Sequence, residues 1–228
     1  MKARSIIISF LLAVFSYANL FAQTGNYEVQ SRRIEEWEKK INEERQPPEK
    51  VMDAIGVKPG MTIGEVGAGR GRYTVHLARR VGNEGKILAN DIDENALSYL
   101  RERCRRNNIQ NIETILGKVD DPLFPEQSLD MVIMVWVYHM LEQPVPLLKN
   151  LRSSLKPGAT VVILDPPDEE IDEEIKEIKG KIDPDRPTIK ERIEKGGAEA
   201  GFELVRIENF LPKDTIYILK VKATPKTI

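Results

Sequence analysis

The sequence predicts an α/β fold: a doubly wound, mostly parallel sheet of seven strands whose last strand runs antiparallel. Three observations carry this. Short apolar runs alternate with segments of helical periodicity, the pattern of a parallel sheet with helices on both faces. The last two apolar runs have only residues 209–214 between them, too few for a crossover helix, so they pair antiparallel. A glycine-rich turn, Gly67-Ala68-Gly69-Arg70-Gly71, joins the first run to the helix behind it.

Taken in order, Lys2 and Arg4 precede an apolar run from Ile6 to Phe15, and small residues follow at Ala18 and Ala22. These are the three parts of a secretory leader. We expect a signal peptide or signal anchor over 1–22, a helical extension over 23–56 and the main domain over 57–228. The positive end stays inside, so the domain is expected to be exported, periplasmic or tethered to the outer face of the inner membrane. Any membrane contact would come only through an uncleaved N-terminal segment. No cysteine follows the apolar run, so a lipoprotein anchor is not indicated.

The stretch Tyr27 to Arg45 is charged, with Ile34, Trp37 and Ile41 spaced as a narrow helical stripe that Pro47-Pro48 ends. A short helix, Glu49 to Ile55, stops at Gly56. Strands are predicted at Met61–Val66, Lys86–Asn90, Ile112–Leu116, Leu129–Val135, Ala159–Asp165, Phe202–Glu208 and Thr215–Val221. Helices fill Gly71–Val81, Glu94–Asn107, Val145–Leu155 and Thr188–Ala200. Between the fifth strand and the last helix, Ile171, Ile175 and Ile178 set a further helix among acids and lysines, Asp168 to Lys181. It leaves the carboxyl edge of the sheet, where open α/β folds bind ligands, and is either a lid over a substrate or a solvated surface helix.

Of the 228 residues, 41% are apolar, enough for a core, and the net charge of −2 supplies no field for nucleic acid. The basic run Arg101 to Arg106 reads as the solvated face of a helix. One cysteine, Cys104, forms no intrachain disulfide, and two histidines make no multi-histidine site, so no metal is expected.

The chemistry concentrates at Glu65-Val66-Gly67-Ala68-Gly69-Arg70-Gly71, an acid followed by three alternate glycines and a helix. Glycine admits positive φ and leaves bare backbone for a ligand, and the helix start offers free N–H groups. A dinucleotide fingerprint needs glycine or alanine where Arg72 stands, which disfavours a nicotinamide oxidoreductase. A second acid, Asp91, ends the next apolar run 20 residues past Gly71, where a ribose-binding acid belongs. The competing reading of this region is helix capping, for which Asp93 is placed before Glu94.

This combination resembles the class I S-adenosylmethionine (SAM) methyltransferases, over about residues 47–222. The resemblance implies a Rossmann-like fold with SAM as cofactor, Glu65, Gly67, Ala68, Gly69 and Gly71 holding its methionine part, and Asp91 its ribose. It places Ile92 against the adenine. An adenine-binding acid is common right after the glycine that ends the third strand; here Lys118 follows Gly117 and cannot accept a hydrogen bond. Asp120, reached by a shifted loop, is the candidate, and Asp121 before Pro122 reads equally as turn chemistry.

The stretch Trp136-Val137-Tyr138-His139, after the fourth strand, faces the transferred methyl in the resembled fold. Tyr138 and His139 are therefore candidates for substrate contact or general base, with a loop-capping His139 as the structural alternative. Trp136 has a face to offer a sulfonium. Asp165-Pro166-Pro167 partly matches a motif of amino-group methyltransferases, but it follows the fifth strand and lacks the aromatic, so it reads as a strand terminator. The resemblance implies methyl transfer to an unidentified small-molecule or cell-envelope acceptor. The alternative is a catalytically silent protein of the same fold that binds a nucleoside or metabolite.

Overall fold

The computed structural model describes residues 29–222, in two units that divide between Glu43 and Glu44. Helix α1 runs through residues 29–44, as its apolar stripe predicts, and holds a Lys39–Glu43 pair one turn apart. The leader expected over 1–22 lies outside the described residues. Among those described, no helix is long and apolar enough to cross a membrane.

The second unit is the α/β domain. It runs α2 (Pro48–Ile55), β1 (Thr62–Val66), α3 (Thr74–Val81), β2 (Lys86–Asp91), α4 (Glu94–Arg106), β3 (Ile112–Leu116) and β4 (Leu129–Val135). A short 3₁₀ turn (Tyr138–Met140), α5 (Pro144–Ser154), β5 (Leu155–Asp165), α6 (Asp168–Lys179), α7 (Ile189–Ala200), β6 (Phe202–Glu208) and β7 (Thr215–Val221) follow. The sheet order is β3-β2-β1-β4-β5-β7-β6. All neighbours are parallel except β7, which is antiparallel to both β5 and β6. The predicted seven-stranded, mostly parallel sheet with an antiparallel last strand is the one found.

Alternation along the strands feeds two cores. Val132, Met134, Val161 and Ile163 face one side, where Leu147, Leu148, Ile189 and Ile193 of α5 and α7 pack. Met131, Ile133, Val162 and Leu164 face the other, against Met52 of α2 and Leu77 and Val81 of α3. A smaller cluster sets Leu100 and Cys104 of α4 on Ala68 and Ala89. In the basic run on α4, Arg101 meets Glu94 and Arg105 meets Glu102, but Arg103 departs from the expected solvated face: it is buried and donates to the Arg70 carbonyl at 3.3 Å.

Most boundaries fall within two residues of the sequence reading; two differ by more, each for a backbone reason. Helix α3 begins at Thr74 and not at Gly71, because Gly67, Gly69 and Gly71 all hold positive φ (71°, 55° and 87°), outside the right-handed helical region. Strand β5 begins at Leu155 and not at Ala159. Leu155 pairs with Leu129, and a register shift between Leu129 and Met131 takes up the Pro157-Gly158 bend, with Gly158 at φ 84°.

Candidate functional site

Strand order reverses between β1 and β4, the position where open α/β sheets form a crevice. The chemistry-bearing residues all leave the carboxyl ends of β1, β2, β3, β4 and β5, which face that crevice.

The turn after β1 is a close-packed frame around one open position. A Cβ on Gly67 would stand 2.4 Å from Val137 Cγ2, and one on Gly71 2.3 Å from Leu100 Cδ1. A Cβ on Gly69 would meet nothing within 4 Å. The outer glycines therefore seat the turn, and the middle one leaves bare backbone facing free space. Ala68 is buried and donates its N–H to the Asn90 carbonyl at 2.9 Å, tying the turn to β2.

Beneath the turn lies Glu65, buried and with Oε2 lacking any hydrogen-bond partner. The Tyr73 hydroxyl just past the turn is likewise buried and unpartnered. Burial pushes the Glu65 carboxyl up to about 7, against the opposing pull of Thr74 and the Arg72 charge. Its ordinary value is 4.5, so the folded chain holds this proton more tightly than the unfolded one. The stability it contributes is full below pH 4.5 and is lost as pH rises to about 7, a loss of about 3 kcal/mol. We expect urea unfolding of Glu65→Gln to remove that pH dependence relative to wild type, with the variant the more stable at pH 8. Equal slopes for the two proteins would contradict the assignment.

Asp91 is turned to the glycine turn. Its Oδ2 accepts the Gly69 N–H at 2.7 Å and its Oδ1 the Asp93 N–H at 2.9 Å. The α4 cap is Asp93, which accepts from the Asn95 N–H at 2.9 Å, so Asp91 is not the cap. Ile92 does not pack into the core: it is 60% exposed, and Leu116, opposite Asp91 on β3, is 49% exposed. With Val119, 70% exposed, they form an apolar rim at this end of the crevice. The 117–121 turn closes on itself, Lys118 N–H to Asp121 O at 2.7 Å, and Gly117 N–H reaches the Asp91 carbonyl at 3.0 Å. The Asp120 side chain is exposed while its carbonyl accepts from Asn150. Asp121 does turn chemistry, accepting the Leu123 N–H at 2.9 Å.

Tyr138 and His139 part company. The Tyr138 ring is fully buried, and its hydroxyl donates to the Arg192 carbonyl on α7 at 3.0 Å. A 3₁₀ turn sends consecutive side chains in different directions, so Tyr138 belongs to the core and does not reach the crevice. His139 does. Its N–H donates to Asp165 Oδ2 at 2.8 Å, and its Nδ1 stands 3.0 Å from Asp165 Oδ1. An ionised carboxylate only accepts, which assigns a proton to Nδ1; in the neutral ring Nε2 is then the acceptor. Asp165 is fully buried; burial pushes its carboxyl up and the His139 contacts hold it back. The residue read as a strand terminator is thus the partner of His139. No local signal marks it, because the pairing follows from β4 and β5 lying side by side.

His139 opens into a pocket of about 300 Å³. Trp136, Met140 and Pro166 supply its apolar wall, and Arg45, Glu170 and Glu174 its charged members. The last two come from α6, which therefore forms one side of the pocket. The Trp136 ring is not free for a sulfonium, since the Arg45 and Arg72 guanidiniums lie 4.8 Å and 4.7 Å from its centre. Trp136 also holds φ 59°, a strained value for a non-glycine residue.

Behind this wall sits Asp214, a residue the sequence reading passed over. It is fully buried and accepts from Arg45 Nε and Nη2 (3.2 and 2.6 Å), Gln46 Nε2 (3.0 Å) and Trp136 Nε1 (3.1 Å). Gln46 in turn accepts from Arg72 at 2.7 Å, so the network reaches the glycine turn.

Comparison with known proteins agrees with this geometry. Residues 63–158 match a family described as Methyltransferase domain. The ubiquinone/menaquinone biosynthesis C-methyltransferase UbiE of Escherichia fergusonii is 28% identical over 115 residues, 50% of this chain and 46% of that protein. Its counterpart in Idiomarina loihiensis gives the same identity and coverage. The chain spans about half the length of these curated relatives. Among solved structures, a SAM-dependent methyltransferase from Aquifex aeolicus superposes with a TM-score of 0.66 at 24% identity, covering 82% of this chain and 98% of that one. A Pyrococcus horikoshii protein follows at 0.63 and 19%, covering 81% and 91%. At these identities the superpositions speak to the fold.

Proposed function

We propose that the chain is a class I SAM-dependent methyltransferase that transfers a methyl group from SAM to a small acceptor held beside His139, a reading supported by the match of residues 63–158 to the methyltransferase-domain family and by the shared fold. The observation that carries this reading is the buried Glu65 carboxyl, whose Oε2 has no partner, under a glycine turn whose middle residue faces open space. A buried carboxylate without a partner is costly, and the ammonium of a methionine moiety relieves it. Glu65, Gly67, Ala68, Gly69 and Gly71 fit that moiety. Asp91 fits the ribose hydroxyls, and Ile92 with Leu116 and Val119 fits an apolar adenine face. Asp120, exposed in the turn that touches Asp91, is the adenine candidate.

Bound SAM supplies a methyl on a sulfonium, displaced in line by the acceptor. The protein's own task is to position, to exclude water and to take a proton. His139 Nε2 is the proton acceptor, and Asp165 holds the ring in that tautomer. The side chains of Glu170 and Glu174 on α6 form one side of the pocket. Asp165 is a positioning residue in this scheme, and Tyr138 has no part in it.

Titration calorimetry with SAM tests the cofactor assignment. We expect the full chain to bind SAM and its demethylated product. Asp91→Ala should lose about tenfold or more, the worth of hydrogen bonds to a charged acceptor. No measurable binding by the wild-type chain would remove the reading.

A further inference from the structure

The pocket beside His139 also carries information about the acceptor. Of its two carboxylates, Glu170 is neutralised: its oxygens accept from Arg45 Nη1 at 2.8 Å and Lys213 Nζ at 2.9 Å. Arg45 is spent as well, since its other nitrogens serve Asp214. Glu174 differs. Its side chain is 50% exposed, and among the described residues it faces only His139 Nε2, at 3.7 Å from its Oε2. That distance is beyond a hydrogen bond. The His139 side chain is itself only 8% exposed, and in the neutral ring with its proton on Nδ1, Nε2 is the acceptor nitrogen. With the ring neutral, as its proposed role as proton acceptor requires, two acceptors stand next to each other, and the one guanidinium of the pocket is already paired.

We propose that this pocket takes a protonated amine bearing an apolar substituent. The proposal rests on the methyltransferase reading and names its acceptor class. An ammonium carries several N–H groups and donates to Glu174 Oε2 and His139 Nε2 together. A hydroxyl has one proton, satisfies one acceptor and leaves the other facing it. A carboxylate or phosphate meets Glu174 as a like charge. Trp136, Met140 and Pro166 receive the apolar substituent. Once bound, the amine gives a proton to His139: the N–H bond breaks as Nε2–H forms, and the positive charge passes to the imidazolium. Asp165 and Glu174 stabilise that charge from either side. The freed nitrogen lone pair is the nucleophile.

Three probes of one shape test this on the full chain by calorimetry: benzylamine, benzyl alcohol and benzoate. Benzylamine is expected to bind at least tenfold more tightly than either of the others. Glu174→Gln is expected to lose about tenfold for benzylamine and nothing for benzyl alcohol, and Glu174→Asp to keep the amine preference. Equal affinities for the three probes, no heat with benzylamine, or unchanged benzylamine affinity in Glu174→Gln each overturn the proposal. SAM is titrated in parallel. Intact SAM binding without amine preference overturns the acceptor class alone, whereas absent SAM binding overturns the methyltransferase reading and the acceptor class with it.

Discussion

Replacing Asp214 with alanine is expected to lower the unfolding free energy by about 3–5 kcal/mol. The side chain is fully buried and takes four donor contacts, from Arg45, Gln46 and Trp136. Removing one partner of a buried ion pair leaves the other uncompensated, and the cost is that of the stranded group more than that of the lost bonds. Arg45 keeps Glu170, so the loss stops short of a fully orphaned charge. The Trp136 indole N–H and the Gln46 amide lose an acceptor that no neighbour replaces. Asp214→Asn, which keeps the shape and one oxygen, should fall between. Urea unfolding checks this: the midpoint drops while the denaturant slope stays constant. A loss under about 1 kcal/mol would mean that water takes over the role of Asp214.

His139→Ala is expected to lower S-adenosylhomocysteine release by about 10²–10⁴-fold, the usual worth of a positioned proton acceptor. The readout is turnover with SAM and a cell-envelope extract, alongside SAM affinity by calorimetry. Affinity should hold, because the side-chain neighbours of His139 are Asp165 and Glu174 and not the residues of the glycine turn. Asp165→Asn should act in the same direction by another route. Its amide offers Nδ1 a donor and so moves the imidazole proton to Nε2, where it blocks proton uptake. A His139→Ala chain with full turnover would reduce the histidine to a loop cap. The aspartate variant separates the two roles, since a mere cap would lose stability without a change in the pH profile of turnover.

The sheet was readable because its signals are local. Short apolar runs mark strands, the 209–214 connection forces a hairpin, and three alternate glycines behind an acid leave few options for the backbone. The position of Asp91 beside the glycine turn was readable for the same reason: its distance from Gly71 is a length along one βαβ unit. What escaped depends on neighbours far apart in the chain. Asp165 lies 26 positions from His139, and Asp214 lies 78 from Trp136. Nothing in either local stretch marks these pairs, which arise from sheet order. Tyr138 escaped for a finer reason. Its neighbour faces the pocket, and only the turn geometry decides that the ring goes into the core. Ile92 points the opposite way: an isoleucine after a strand looks like core, yet the strand ends one residue earlier and leaves it open.

The reversed direction of β7 has a consequence for how this protein becomes competent. Asp165 at the end of β5 lies opposite Thr215 at the start of β7. Running against its neighbours, β7 thus delivers the residue before it, Asp214, to the same rim as the ends of β4 and β5. A parallel strand there would have carried that residue to the far edge. During synthesis the glycine turn, Asp91, His139 and Asp165 all emerge long before this carboxylate does. Until it docks, Arg45 and Trp136 lack their common anchor, and β6 has no partner through which to join the sheet. Maturation of the crevice is therefore coupled to insertion of the seventh strand, a long-range event that comes late on the ribosome.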